Sequence, residues 1–158
     1  MFRELVRKKQ QLSESECLEL LKSELRGVLS INGDDGYPYG LPIDHYYDET
    51  DGHIYFHSGN VGYKLEMMRK DPKASYCVYD GGFLKEGDWA LNIKSVIVFG
   101  KIRFIEDEEK ALDICRKLSR KFTSSEEYIE KEIELAKHRL VCFELIPEYM
   151  TGKLVNEK

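Results

Sequence analysis

Ser95-Val96-Ile97-Val98-Phe99-Gly100-Lys101-Ile102-Arg103-Phe104-Ile105 is the longest run of strand-forming residues in the chain. β-Branched and aromatic side chains fill it, so it reads as one long strand. Gly100 inside such a run marks a bulge or bend where a sheet curves, and bends of this kind help close barrels. Upstream, Ala74 to Tyr79 forms another strand, and the charged, glycine-containing stretch from Gly81 to Asp88 reads as a loop. Downstream, Asp107 opens a helix with the apolar stripe Ala111, Leu112, Ile114, Cys115 and Leu118. A further helix spans about Ser125 to His138, and a last strand runs from Arg139 to Ile146.

The N-terminal half is read the same way. Ser13-Glu14-Ser15-Glu16 is a capping-box pattern, and Cys17, Leu20, Leu21 and Leu25 follow at helical spacing, predicting an amphipathic helix to about Leu25 that covers one end of the barrel. Gly27 to Ile31 is a strand, turned by Asn32-Gly33-Asp34-Asp35-Gly36 into a second strand from about Tyr39 to Asp48. Asp51-Gly52 then turns into His53-Ile54-Tyr55-Phe56-His57. Val61 to Arg69 is a short helix stopped at Asp71-Pro72. About six strands and four helices, linked mainly by hairpins, predict an α+β fold with an antiparallel sheet and peripheral helices. No Gly-x-Gly-x-x-Gly fingerprint argues for a Rossmann fold instead. No repeat, low-complexity tract or linker divides residues 1–158, so a single domain is expected.

A chain of 158 residues buries enough core to fold without disulfides or structural metal. A net charge of −5 argues against a nucleic-acid-binding surface, so any phosphate site must be local. No apolar run approaches the roughly 20 residues needed to span a bilayer, and MFRELVRKKQQLSESE has no apolar segment behind its cations, which together predict a cytoplasmic location without membrane partners. Cys17, Cys77, Cys115 and Cys142 are widely scattered and form no zinc or redox motif, so they read as buried, reduced thiols and no metal is expected. Ser-His-Asp, His-Glu-x-x-His and Walker patterns have no support in the sequence.

One local stretch suggests chemistry. His57-Ser58-Gly59-Asn60-Val61-Gly62-Tyr63-Lys64 leaves a strand, passes through small polar residues and enters a helix with a lysine in its first turn. The helix start offers unpaired N–H groups and partial positive charge, Gly62 admits a close backbone approach, Ser58 adds a hydroxyl and Lys64 a full charge. An ordinary strand-to-helix connection, capped by Ser58 or Asn60 with Lys64 in solvent, is the plainer reading of the spacing alone.

Tyr37-Pro38-Tyr39-Gly40-Leu41-Pro42, then Ile54-Tyr55-Phe56-His57-Ser58 with Gly62 and Lys64, Ser95-Val96-Ile97-Val98-Phe99-Gly100 and Met150-Thr151-Gly152-Lys153 occur in an order that resembles the pyridoxamine 5′-phosphate oxidase-like FMN-binding proteins, in particular the nitroimidazole-resistance branch. The likeness runs from about Arg3 to Lys153. It implies a split β-barrel, a homodimer with FMN held between subunits, and Tyr39, Gly40, Leu41, Pro42 and Ile43 laid along the isoalloxazine ring. It further implies that Ser58, Gly62, Tyr63 and Lys64 carry the phosphate, and that Ser95 and Val96 approach the ring or the dimer contact. Leu41-Pro42-Ile43-Asp44-His45 replaces the arginine-rich pattern of true pyridoxamine phosphate oxidases, so that substrate is not expected.

His57 is the preferred active-site side chain, against a structural histidine hydrogen-bonded to loop backbone. The alternation of His45 and Tyr47 places His45 outward on a half-solvated strand. Trp89 either covers a flavin or anchors its loop, and Lys153 sits in a tail beyond the last strand, free to reach a substrate anion. The expected activity is an FMN-dependent oxidoreductase reducing a small aromatic acceptor, a 5-nitroimidazole being one candidate. The alternative is a non-catalytic flavin-binding protein, or a haem-binding one using His57, His45 or His138 as axial ligand.

Overall fold

The computed structural model describes residues 2–156. Helix α1 (Glu14–Ser23) starts where the capping box predicts: the Ser13 side chain accepts from the Glu16 N–H while the Glu16 carboxylate accepts from the Ser13 N–H at 2.9 Å. Then follow β1 (Arg26–Asn32), β2 (Pro38–Asp44), β3 (Tyr46–Asp48), β4 (His53–Gly59), α2 (Tyr63–Lys70), β5 (Lys73–Tyr79), β6 (Phe83–Leu84), β7 (Leu91–Phe104), α3 (Glu108–Ser119), α4 (Glu126–Ala136) and β8 (Leu140–Val155). All strand pairings are antiparallel, in the order β2-β1-β5-β7-β8-β4-β3, with β6 paired to β7. The four helices lie around this curled sheet, giving the α+β split barrel that the sequence implies.

The closure follows from one residue. β2 and β3 occupy opposite ends of the strand order, yet only His45 separates Asp44 from Tyr46. Two peptide steps span at most about 7.6 Å, so the sheet has to curl until its two edges meet. They meet without pairing. Pro38 and Pro42 supply no N–H, which suits β2 to an edge position and leaves a seam beside β4. The expected continuous strand from Tyr39 to Asp48 is therefore broken. With β6 in the stretch read as a loop, the break raises the strand number above six.

His45 departs furthest from the expected pattern. It is fully buried, not outward. Its Nε2 lies 2.6 Å from the Leu21 carbonyl and its Nδ1 2.8 Å from the Tyr76 hydroxyl. A carbonyl only accepts, so Nε2 carries the proton and Nδ1 is an acceptor, sharing the single Tyr76 hydroxyl proton with the Ile43 carbonyl 2.9 Å from that hydroxyl. Burial, with the nearby Lys121 charge, pushes the His45 pKa down to about 4. Lys121 braces the same break, donating to the Glu24 and His45 carbonyls at 2.6 and 2.8 Å, and desolvation brings its own pKa down to about 8.

Gly100 lies at a bulge, as expected, although the extra residue is on the partner strand. Phe99 pairs with Tyr149 and Gly100 with Pro147, leaving Glu148 unopposed. A Cβ on Gly100 would stand 2.1 Å from the Ile146 carbonyl oxygen, so the close approach of β7 and β8 requires glycine there. The bulge also carries β8 past Pro147 to Val155, well beyond the expected end at Ile146. Lys153 is thus no free tail: it pairs with Ser95 and bridges to Gln11.

Inside the barrel, Leu29, Phe56, Tyr76, Val98, Phe143 and Leu145 are sealed from solvent, with Cys17, Leu20 and Leu21 of α1 and Leu65, Met67 and Met68 of α2 completing the core. On the outer side of β4 and β8, α3 and α4 cover Tyr55 and Cys142 with a separate apolar cluster that includes Ile114, Ile129 and Ile133. No helix among the described residues is long and apolar enough to cross a membrane.

Candidate functional site

The seam between β2 and β4 is where the predicted residues gather. β4 alternates Ile54, Phe56 and Ser58 inward with Tyr55 and His57 outward. His57 therefore emerges on the outer face, where it lines an open cleft of about 240 Å³ with Arg26, Pro42, Ile43 and Asp44. Arg26 and Asp44 are cross-strand partners in the β1–β2 ladder, and Arg26 Nε donates to Asp44 Oδ1 at 2.5 Å.

The His57 ring makes no hydrogen bond among the described residues, which sets it apart from His45 and from the structural alternative. One edge reaches solvent, but the protein packed around the ring pushes its pKa below the ordinary imidazole value. The Asp44 carboxylate opposes that shift, and the Lys64 charge adds to it. A neutral imidazole at neutral pH has one N–H to donate and one lone pair to accept with.

Beyond β4 the chain enters α2 through Gly62, which adopts φ +134° and ψ 161°. That backbone conformation favours glycine. No side chain caps the helix, whose Leu65 and Glu66 N–H groups turn back to the Gly62 carbonyl. Lys64 is half-buried and forms no ion pair among the described residues. Ser58 is only 9% exposed, and its hydroxyl has no hydrogen-bond partner among them. An uncapped helix start, an uncommitted hydroxyl and an unpaired ammonium thus lie within seven residues.

Tyr63 is more committed. Its hydroxyl accepts from the Asp34 N–H at 2.7 Å, and its ring meets Tyr39 edge to face with centroids 5.0 Å apart. This contact pins the β1–β2 turn to α2. Tyr39 and Gly40 are exposed, Pro42 also, while Leu41 and Ile43 are half-buried against the core. Ser95 and Val96 lie elsewhere. They sit on β7, three strands from β2 and two from β4 in the strand order, and the Val96 side chain points wholly into the core. One chain therefore assembles His57, Tyr39 to Ile43, Ser58 and Gly62 to Lys64, but does not bring Ser95 and Val96 to them.

Arg26 and Asp44 escape sequence reading because only the hairpin register and the seam make them neighbours of His57. Their opposite charges at the two ends of the predicted hairpin are the one available signal. His45 has both ring nitrogens engaged and offers none to a haem iron. Among the described residues, Asp51, His53 and Glu144 have metal-ligand chemistry. Their donors are already committed: His53 Nδ1 meets Glu144 Oε2 at 2.8 Å, Arg103 donates to Glu144 Oε1 at 2.6 Å and the Tyr55 hydroxyl to Asp51 at 2.5 Å. Trp89 is 79% exposed.

The sequence profile of the pyridoxamine 5′-phosphate oxidase family matches residues 13–153. The chain belongs to that family. Among solved structures, a candidate 5-nitroimidazole antibiotic resistance protein from Bacteroides thetaiotaomicron shares the fold with a TM-score of 0.78 at 21% identity, over 92% of this chain and 87% of that one. A FAD-binding protein from Mesorhizobium loti is 26% identical, with a TM-score of 0.66 over 92% and 97% of the two chains. The flavocytochrome Anf3 from Azotobacter vinelandii matches with a TM-score of 0.71 at 14% identity, over 96% of this chain and 72% of that one. No curated protein matches the chain. As a member of the pyridoxamine 5′-phosphate oxidase family, it keeps the split barrel while lacking arginines between Leu41 and His45.

Proposed function

We propose that this pyridoxamine 5′-phosphate oxidase-family protein is a flavin-dependent oxidoreductase that holds FMN along the β2–β4 seam and reduces a small aromatic acceptor, a 5-nitroimidazole being one candidate. The observation that carries the reading is the set of uncommitted anion donors at the start of α2: the uncapped N–H groups, Ser58 and Lys64. These fit a phosphate monoester, since each can give a hydrogen bond and Lys64 supplies the charge. Family membership and the likeness to a FAD-binding protein from Mesorhizobium loti support a flavin as the cofactor.

Bound flavin supplies the electron chemistry. The chain contributes position and polarity. Tyr39 to Ile43 offer an edge strand whose exposed backbone can hydrogen-bond the polar rim of the ring, and Pro42 presents an apolar surface beside it. His57, neutral and free of internal partners, holds a proton at the cleft where an acceptor would lie, while the Arg26–Asp44 pair sets the charge of its wall.

The reading includes a homodimer. Tyr79 of β5 with Leu91, Ile97 and Phe99 of β7 leaves an apolar stretch of the outer sheet face exposed. A second copy on this face is the means by which Ser95 of one subunit would reach the seam of another.

The test is direct. Purified protein incubated with FMN and desalted is expected to retain a flavin absorption spectrum, and acid release with mass spectrometry separates FMN from FAD. Protein that takes up neither, or shows a Soret band instead, would overturn the reading. Turnover of a nitroimidazole with chemically reduced flavin then separates an enzyme from a carrier.

A further inference from the structure

The sequence spacing of the four cysteines suggests only isolated thiols, but folding places two of them in contact. Cys115 on α3 and Cys142 on β8 stand with their sulfurs 3.5 Å apart, each at most 4% exposed. Cys17 lies in the barrel core and Cys77 on β5, so this is the one thiol pair in contact among the described residues.

We propose that Cys115 and Cys142 form a peroxide-oxidisable pair that closes into a reversible disulfide and latches the α3–α4 cover onto the barrel wall. The two sulfurs already face each other across the helix–strand interface, and a disulfide of ~2.05 Å asks them to close by about 1.5 Å. The link would join residues 27 apart. Cys142 is also the cross-strand partner of His57, so the latch sits one strand from the cleft.

The two thiols are not equivalent. The contact with Cys142, whose thiol also reaches the Ala111 carbonyl at 3.4 Å, lowers the Cys115 pKa against the cost of burial, and the Arg116 charge assists. Cys142, hydrogen-bonded to Cys115 and buried, is pushed strongly upward. Cys115 is thus the attacking thiolate and Cys142 the resolving thiol. Cys115 attacks one oxygen of hydrogen peroxide, the O–O bond breaks, and the departing hydroxide takes up the proton Cys115 has lost, giving water and a sulfenic acid. Cys142 then attacks the Cys115 sulfur, the S–O bond breaks, and the hydroxyl leaves as a second water with the Cys142 proton. Two electrons pass from the two sulfurs to the peroxide, and two waters result. Because both sulfurs lie beneath α3 and α4, the rate is set by opening of that cover.

The experiment uses the folded, reduced protein with millimolar hydrogen peroxide, followed by alkylation and peptide mass spectrometry. The expected product is a Cys115–Cys142 cross-linked peptide, two hydrogens lighter than the thiols and restored by dithiothreitol, with Cys17 still alkylated. Thermal unfolding should move up by several degrees, since closing the loop restricts the unfolded chain. Cys77→Ser should keep the cross-link and the shift. Cys115→Ser should lose both. Recovery of Cys115 and Cys142 as free thiols, or as sulfinic acids without a cross-link, in protein whose circular dichroism remains native would overturn the proposal. It stands apart from the flavin reading, because apo-protein is sufficient.

Discussion

His45 Nδ1 stands 2.8 Å from the Tyr76 hydroxyl, whose one proton it shares with the Ile43 carbonyl, and both side chains are sealed from solvent at the point where the sheet changes edges. Removing the hydroxyl leaves a buried ring nitrogen without a partner, which costs ~1–3 kcal/mol. Tyr76→Phe is expected to lower stability by about that amount in urea denaturation, with its secondary structure retained.

The same histidine predicts an acid sensitivity. Its pKa falls from 6.5 to about 4 on folding, so the unfolded chain takes up the proton first as the pH drops. The stabilisation is full above pH 6.5 and is lost progressively toward pH 4, amounting to roughly 3 kcal/mol over that window. His57 shifts in the same direction, so the comparison needs a variant. His45→Gln should flatten the slope of unfolding free energy between pH 7 and pH 5 relative to the parent; parallel slopes would assign the effect elsewhere.

Lys64→Ala removes the only full charge among the uncommitted donors at the start of α2. Loss of a charge-assisted phosphate contact corresponds to roughly 10- to 100-fold weaker FMN binding, measurable by quenching of flavin fluorescence. Affinity equal to that of the parent would place the phosphate elsewhere.

His57 bears no structural hydrogen bond among the described residues. His57→Ala should therefore fold and bind flavin like the parent while lowering turnover of the acceptor roughly a hundredfold. Equal turnover numbers in steady-state assays would reduce the histidine to a wall of the cleft.

Ile97 and Phe99 are 38% and 37% exposed on the outer face of β7. An Ile97→Asp/Phe99→Asp double substitution leaves the barrel interior untouched and should convert a dimer to a monomer in light scattering, with Ser95 thereby withdrawn from the neighbouring seam and flavin retention reduced. A parent protein that is itself monomeric would remove the shared-site geometry.

Local chemistry made much of this legible in advance. The Ser13–Glu16 capping box, the bend at Gly100 and the anion donors from Ser58 to Lys64 depend on residues adjacent in sequence or on a single backbone requirement. What stayed hidden depends on distant partners. Nothing in Tyr39 to Asp48 announces a break, because histidine is an acceptable strand residue. Leu21, Tyr76 and Lys121, which hold His45 at that break, lie 24 to 76 residues away. The expected last strand ends at Ile146, yet the bulge at Glu148 lets β8 continue. Arg26 and Asp44 join His57 only once hairpin register and seam are both set.

The long strand β8 also dictates an order of events during synthesis. β4 is made early, but apart from the three-residue β3 its ladder partner is β8, some 80 residues later. A nascent chain that has not yet presented residue 140 therefore holds the β1–β2 hairpin at one edge and the β3–β4 hairpin adrift. Barrel closure, and with it the seam that positions His57, awaits the emergence of β8 from the ribosome.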